Sequence, residues 1–162
     1  MQSMDFGAIY ERYAVDVLRF ALYLSGNRAD AEEIAAETFV RAWAATEEIR
    51  VETIKAYLFS IARRLCIERY RRHRREGEWP ADVRDRAPDP EDAASSRDEL
   101  ESVMAALHAM PEIDRAAVLL RANDLSYDEI ARTLAVSPAA ARVKVHRARM
   151  KLAALKLRSG GN

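Results

Sequence analysis

The stretch LSYDEIARTLAVSPAAARVKVHRARMKL, residues 125–152, joins a short helical pattern, a break and a long basic pattern. Ser126 followed by Glu129 is a capping box, which predicts the start of the first helix. Ser137 and Pro138 are a cap and a first-turn residue, which predict the start of the second helix. A short helix, a three-residue turn and a second helix form the outline of a helix-turn-helix.

The basic helix that begins after Ser137 has two different faces. One face is apolar at helical spacing and should pack on a core: Ala141, Val145, Ala148, Leu152 and Leu155. The other face is cationic, and recognition helices use such a face to meet base edges in the major groove. The candidate DNA-binding residues of this helix are Arg142, Val143, Lys144, His146, Arg147 and Arg149. A solvated amphipathic helix is the alternative for this segment taken alone.

Charge is segregated along the chain, although the 26 basic and 26 acidic residues among its 162 balance. Bases dominate residues 54–75, acids dominate residues 82–101, and bases return in the last helix. A single charge run is usually a solvated face. Two basic amphipathic helices on either side of an acidic stretch are harder to explain in that way, and they favour nucleic-acid binding.

The acidic stretch also marks a boundary between two units. Residues 76–95 contain three prolines and show no helical period, which predicts a linker. We call residues 1–75 the N-terminal unit and residues 96–162 the C-terminal unit. The predicted fold class is all-α, with two small helical domains, a helix bundle and a helix-turn-helix, joined by a flexible acidic linker.

The N-terminal unit is predicted to hold three helices, which begin near Ile9, Ala29 and Thr53. In the second helix the apolar stripe consists of Ile34, Ala35, Phe39, Ala42 and Trp43. Its opposite face carries Asp30, Glu33, Glu37 and Arg41. Because each helix offers one apolar stripe, the three should pack together as a bundle.

Several classes of protein and site are disfavoured by the sequence. No run of eighteen apolar residues occurs, so we expect no membrane insertion, and the first residues do not resemble a secretory signal. Cys66 is the only cysteine, and no ligand cluster predicts a metal site. No Gly-rich phosphate loop or nucleophile triad is present, so we expect no catalytic residue, no cofactor and no enzyme. A cytoplasmic location fits these features.

Three segments resemble extracytoplasmic-function (ECF) sigma factors of RNA polymerase. MPEIDRAAVLLRANDLSYDEIARTLAVSPAAARVKVHRARMKL, residues 110–152, is similar to their region 4. DAEEIAAETFVRAW, residues 30–43, resembles region 2.2, and IKAYLFSIARRLCIERYRR, residues 54–72, resembles regions 2.3 to 2.4. The matches follow the family's order and cover most of the chain outside the linker.

The resemblance implies a factor that binds core RNA polymerase and directs it to promoter DNA. The last helix would read the −35 element while its domain seats on the flap of the β subunit. The face with Asp30, Glu33, Glu37 and Arg41 would dock on a coiled coil of the β′ clamp. Members of the family are often held inactive by an anti-sigma factor, so the resemblance also implies such a partner. The residues implied at the −10 element, where a base is flipped, are Ile49, Arg50, Thr53, Lys55, Tyr57, Arg63 and Arg64.

Some positions depart from the family's pattern. Ala36 replaces a usual Gln, Tyr57 a usual Trp, and Val143 a common Ser, while residues 139–141 are all Ala where Gly-Thr-Val is usual. We therefore expect a different promoter sequence. Three alternatives stay open: Tyr57 as a core aromatic, the linker as a nucleic-acid mimic or a plain spacer, and the chain as a stand-alone helix-turn-helix regulator.

Overall fold

The structure, a computed structural model, describes residues 5–45, 54–76 and 94–159. For residues 94–97 and 156–159 it describes the backbone only. Within these ranges the chain forms helices and no strands, which confirms the predicted all-α class. The N-terminal unit holds α1 (Phe6–Ser25), α2 (Arg28–Ala44) and α3 (Ile54–Arg75). The C-terminal unit holds α4 (Ala94–Ala109), α5 (Glu112–Ala122), α6 (Tyr127–Leu134) and α7 (Pro138–Ser159).

A tight turn joins α1 to α2. Gly26 ends α1 in the left-handed region, with φ 74°, and its N–H donates to the carbonyl of Leu22 at 2.8 Å. Glycine suits this position because it has no Cβ to clash there. The side chain of Asn27 then accepts a hydrogen bond from the N–H of Asp30 at 2.9 Å and caps α2. The chain therefore reverses within two residues, and α1 and α2 lie side by side.

The predicted caps of the helix-turn-helix are confirmed. Ser126 and Glu129 form a reciprocal capping box at the start of α6. The hydroxyl of Ser137 accepts from the N–H of Ala140 at 3.1 Å at the start of α7. Between the two helices Ala135 adopts a left-handed conformation, with φ 56°. This conformation is sparsely allowed for a residue with a Cβ, so the packed helices on either side must hold it.

The start of α4 differs from the predicted start of the C-terminal unit. We expected that unit to begin at residue 96, but α4 begins two residues earlier, at Ala94. Pro111 precedes α5 as its cap residue and makes no side-chain bond there. Helix ends predicted from sequence commonly shift by one or two residues. Most of the predicted linker, residues 77–93, and the loop at 46–53 lie outside the described residues.

The core of the N-terminal unit lies where α1, α2 and α3 meet. Phe20 and Phe59 are buried there, with ring centroids 4.8 Å apart. The prediction that Trp43 belongs to the inward stripe of α2 is wrong, because its side chain is 65% exposed. It follows the buried Ala42 by one residue, which places it about 100° further around the helix axis. Its indole stacks on Phe6 at 5.5 Å instead.

The two units pack against each other, a contact that the sequence did not predict. One apolar cluster runs from α1, α2 and α3 into α5, α6 and α7. α5 packs on α1, and α6 packs on α3. The junction therefore covers part of α3, the first of the two basic helices.

Candidate nucleic-acid interface

The last helix, α7, buries one face and exposes the other, as its spacing predicts. Ala141, Val145 and Ala148 are at most 1% exposed and seat the helix on α4, α5 and α6. Lys144, one of the six predicted contact residues, is half-buried. The other five are exposed: Arg142, Val143, His146, Arg147 and Arg149. The helix-turn-helix thus holds these side chains together on one open surface.

The cations of α7 are not paired with carboxylates of the described chain. Among residues 5–45, 54–76 and 98–155, whose side chains are described, the ion pairs all involve α2, α3 or α5, and none includes Arg142, Lys144, Arg147, Arg149 or Lys151. A cation without a carboxylate partner can bind a phosphate or a base edge without first breaking a bond. The exposed cations of α7 can therefore bind the phosphates or base edges of a nucleic acid.

The cations of α3 have different surroundings. Lys55 and Tyr57 are half-buried, and the ring of Tyr57 packs against the main core, in line with its alternative role as a core aromatic. Arg64 is exposed. Three further residues predicted at this site lie outside the described residues: Ile49, Arg50 and Thr53.

Arg63 is held by an acid of the other unit. Its Nε and Nη2 donate to the two carboxylate oxygens of Glu112, at the start of α5, at 2.8 and 2.9 Å. The Arg63 side chain is 18% exposed and that of Glu112 is 34% exposed. A bidentate arginine–carboxylate pair of this kind has the same fork geometry with which arginine binds a phosphate. In this closed arrangement, in which the two units pack together, Glu112 occupies Nε and Nη2 of Arg63, so these donors are not available to a phosphate.

Two family models match the chain, one in each unit. The family model of Sigma-70 region 2 matches residues 9–76, and that of Sigma-70 region 4 matches residues 100–152. The ECF RNA polymerase sigma factor EcfG of Rhodopseudomonas palustris is 34% identical over 145 residues, 88% of this chain and 80% of that protein. The chain belongs to the ECF RNA polymerase sigma factors.

Two further relatives extend the comparison. The ECF RNA polymerase sigma factor SigE of Mycolicibacterium smegmatis is 35% identical over 159 residues, 94% of this chain. The alignment spans 61% of the length of SigE. The sigma factor RpoE from Bartonella quintana, solved in complex with the anti-sigma factor NepR, has a TM-score of 0.78 and 25% identity. That match covers 93% of this chain and 96% of the solved one.

The contact between the two units of this sigma factor is completed by Arg115 on α5. Its guanidinium donates to three backbone carbonyls, those of Leu107 at 2.8 Å, Met110 at 3.2 Å and Leu24 at 3.2 Å. These carbonyls lie at the C-terminal ends of α4 and α1, where a cation is favourable. Burial lowers the pKa of Arg115. No sequence motif predicted this role for Arg115.

The polymerase-binding face predicted on α2 is partly different in the structure. The carboxylate of Asp30 is 15% exposed, and it contacts Arg69 and His73 of α3, each at 3.2 Å. The expectation that Asp30 lies on the open face is therefore wrong, because α3 packs over it. Glu33 and Glu37 remain exposed, although Glu33 also pairs with Arg69.

Exposed apolar side chains extend this face of the sigma factor. Val40 is 59% exposed and lies beside the exposed Trp43. An open groove of about 270 Å³ runs between α1 and α2, and Tyr10, Val15 and Phe39 are among the residues that line it. Exposed apolar groups rimmed by charge are typical of a protein-binding surface. Sequence reasoning assigned Trp43 to the core and therefore missed this surface.

The remaining chemistry-bearing groups do not form a site. The described parts of the chain contain no cluster of His, Cys, Asp or Glu that could hold a metal ion. Cys66 is buried, and burial, reinforced by the carboxylates of Glu112 and Asp30, raises the pKa of its thiol to about 12. The thiol therefore stays protonated and unreactive in the folded protein. No helix in the described ranges is both long and apolar enough to cross a membrane.

Proposed function

We propose that this sigma factor binds core RNA polymerase and directs it to promoters, with α7 at the −35 element and α3 at the −10 element. The observation that supports the proposal is the exposed cationic face of α7, on which Arg142, Arg147 and Arg149 form no ion pair with a described residue and would serve as a recognition surface. Membership of the sigma-factor family supports core RNA polymerase as the partner with which this face of α7 would act. The factor itself carries out no chemistry.

At the −35 element we assign different roles to the residues of α7. Arg142 and Arg147 are placed to bind guanine O6 and N7 with two hydrogen bonds each. Val143 suits the methyl group of thymine, and His146 lies beside it on the same exposed face. Lys144 and Arg149 flank that centre and suit phosphates, which fix the register without reading sequence.

At the −10 element we propose that α3 holds the opened strand. Lys55, Arg64 and the flanking residues Ile49, Arg50 and Thr53 are the proposed contacts, with Tyr57 as a neighbouring ring. Flipping a base costs a few kcal/mol of unstacking, so cations near the pocket help to offset it. Arg63 can join this set only after its pair with Glu112 opens, so the two units must separate before both elements are bound.

For docking on polymerase we propose the exposed face of α2. Glu33, Glu37 and Arg41 would meet the basic coiled coil of the β′ clamp, with Val40 and Trp43 as the apolar anchors. Complementary charge orients the encounter, and buried aromatic anchors supply most of the affinity. Asp30 is a supporting residue that fixes α2 on α3. The C-terminal unit would seat on the β flap.

An anti-sigma partner is also part of the proposal. The solved relative RpoE is bound to the anti-sigma factor NepR, and its fold covers nearly all of this chain. We propose that a similar partner covers the polymerase-binding face of α2 in this protein. The site of action would be the cytoplasm, where RNA polymerase works.

The test is run-off transcription with purified core RNA polymerase on genomic templates, followed by mapping of start sites. We expect the chain to create a defined set of starts that core enzyme alone does not use. Tight binding of a DNA operator without core enzyme, together with no gain in start-site selectivity, would contradict the proposal and favour a stand-alone regulator.

A further inference from the structure

A tyrosine at the start of α6 contacts arginines from the helices on either side of it in the chain. Tyr127 is the first residue of α6. The guanidinium carbon of Arg142, on α7, lies 5.0 Å from the centre of its ring. The guanidinium carbon of Arg121, at the end of α5, lies 4.8 Å from the same centre. One aromatic ring therefore links all three helices of the helix-turn-helix region.

The ring itself is fixed in place. Tyr127 is half-buried and packs against the main apolar core. Arg121 donates from Nη1 to the carbonyl of Leu125 at 2.8 Å, which anchors it to the turn before α6. A ring held between a core and an anchored guanidinium has little freedom to move. Tyr127 can therefore act as a fixed support for the second arginine.

The contact with Tyr127 uses none of the conventional hydrogen-bond acceptors that the N–H donors of Arg142 could bind. A cation–π contact attracts the guanidinium through its positive charge, so its N–H groups can still donate to other acceptors. No carboxylate of the described chain pairs with Arg142. Its donors thus remain available for the two acceptors of a guanine edge.

We propose that Tyr127 is a positioning residue that holds Arg142 in place for reading the −35 element, a role that rests on the proposed function. An exposed arginine side chain has many accessible rotamers, and part of that freedom is lost when it binds. A side chain ordered before binding loses less, so the complex forms more tightly and with a better-defined contact. Tyr127 thereby sets the strength of one base contact without touching DNA.

The test compares three substitutions in the full chain. Y127F keeps the aromatic face, Y127L keeps an apolar side chain without it, and Y13L is the matched control. Tyr13 on α1 is also half-buried, packs on the core and lies under an arginine, with Arg12 5.4 Å from its ring centre. Affinity of the polymerase complex for −35 promoter DNA is measured for each variant and again in an R142A background.

We expect Y127L to weaken −35 binding by about 2- to 5-fold, the equivalent of one exposed cation–π contact, whereas Y127F and Y13L match the wild type. In the R142A background Y127L should have no further effect, because the side chain that it positions is gone. Equal losses in both backgrounds would overturn the proposal and leave Tyr127 as a packing residue.

A second measurement does not depend on promoter binding. In the free protein, the Nε–H resonance of Arg142 should show a ring-current shift and restricted motion by NMR in the wild type and in Y127F. In Y127L both should be lost. An Arg142 resonance that is unchanged by Y127L would refute positioning even if transcription works. Retained positioning without promoter-specific starts would instead contradict the proposed function alone.

Discussion

The two basic helices look alike in sequence but differ in what their cations contact. On α3, Arg63 pairs with Glu112 and Arg69 pairs with Asp30 and Glu33, so these charges are already used inside the protein. On α7, the cations whose side chains are described form no ion pair with a described residue: Arg142, Lys144, Arg147, Arg149 and Lys151. The number of bases in a helix therefore does not show how many of them are free to bind DNA.

The difference has a consequence for the order of events at a promoter. Free cations attract the DNA backbone at long range and release its counterions at once. A cation in a partly buried pair must first exchange a carboxylate for a phosphate. We therefore expect α7 to contribute to binding from the first encounter and α3 to contribute fully only after the two units separate.

The largest effect is expected from reversing the charge of two exposed arginines of α7, Arg142 and Arg147. The double variant R142E/R147E should reduce −35-dependent transcription by about 25-fold or more, since two base contacts of about 1 kcal/mol or more are lost and repulsion is added. Core polymerase binding, measured by pull-down, should not change. R12E/R19E, on α1, is the control with the same change in net charge. Normal initiation by the double variant would show that α7 is not the reading helix.

The next effect concerns the ion pair between Arg63 on α3 and Glu112 on α5. R63Q or E112Q should shift the equilibrium between closed and separated units toward separation by roughly 10-fold. A charge-assisted pair contributes about 1.5–3 kcal/mol, and this pair falls at the low end because the Glu112 side chain is 34% exposed. R64Q, which changes the neighbouring exposed arginine, is the matched control. Energy transfer between labels on α1 and α7 reports the separation. Identical distances in R63Q and R64Q would mean that the Arg63–Glu112 pair does not hold the units together.

A further effect distinguishes two roles of acidic residues on α2, that of Asp30 in stability and that of Glu37 in polymerase binding. D30N should lower the free energy of unfolding by about 1–3 kcal/mol, because it weakens the bonds from Asp30 to Arg69 and His73 in a largely covered site. E37Q, at an exposed position, should leave stability nearly unchanged and weaken core polymerase binding. Urea denaturation and a core-binding assay measure the two properties. A stability loss in E37Q that equals the loss in D30N would remove the distinction.

The smallest effect is a pH dependence of the closed arrangement. The ring of His108 on α4 donates from Nε2 to the carbonyl of Tyr23 on α1 at 3.1 Å. His108 is exposed at the surface, but the protein atoms packed beside its ring and the guanidinium of Arg115 lower the pKa of His108 below the usual value of a histidine. The separated form, with a pKa near 6.5, takes up a proton that the closed form binds less well. The contribution of His108 to closure is therefore fully present above about pH 6.5 and is lost as the pH falls below it, and solvent around the exposed ring keeps this contribution small.

The same label-to-label distance, measured between pH 7.5 and pH 5, tests this dependence. The wild type should open progressively as the pH falls, and H108Q should show a flatter response because it cannot take up the proton. If the two proteins open in parallel, other groups control the change.

Local features of this protein were predictable because they depend on neighbours in the chain. The capping box of Ser126 and Glu129, the cap at Ser137 and the buried stripe of α7 all follow from spacings of three to seven residues. The inward placement of Trp43 failed because helical spacing near the edge of a stripe does not decide between core and solvent. The exposed placement of Asp30 failed because it depends on Arg69 of α3, which lies 39 residues later in the chain.

The sequence by itself determined the helices, their caps, the two cationic runs and the resemblance to ECF sigma factors. Only the tertiary structure decided which cations are paired, where the two units meet and which arginines contact the ring of Tyr127. The reason is distance along the chain. The Arg63–Glu112 pair joins residues 49 apart and the His108–Tyr23 bond joins residues 85 apart. Contacts of that separation leave no periodic signal, because they are set by how the finished helices pack.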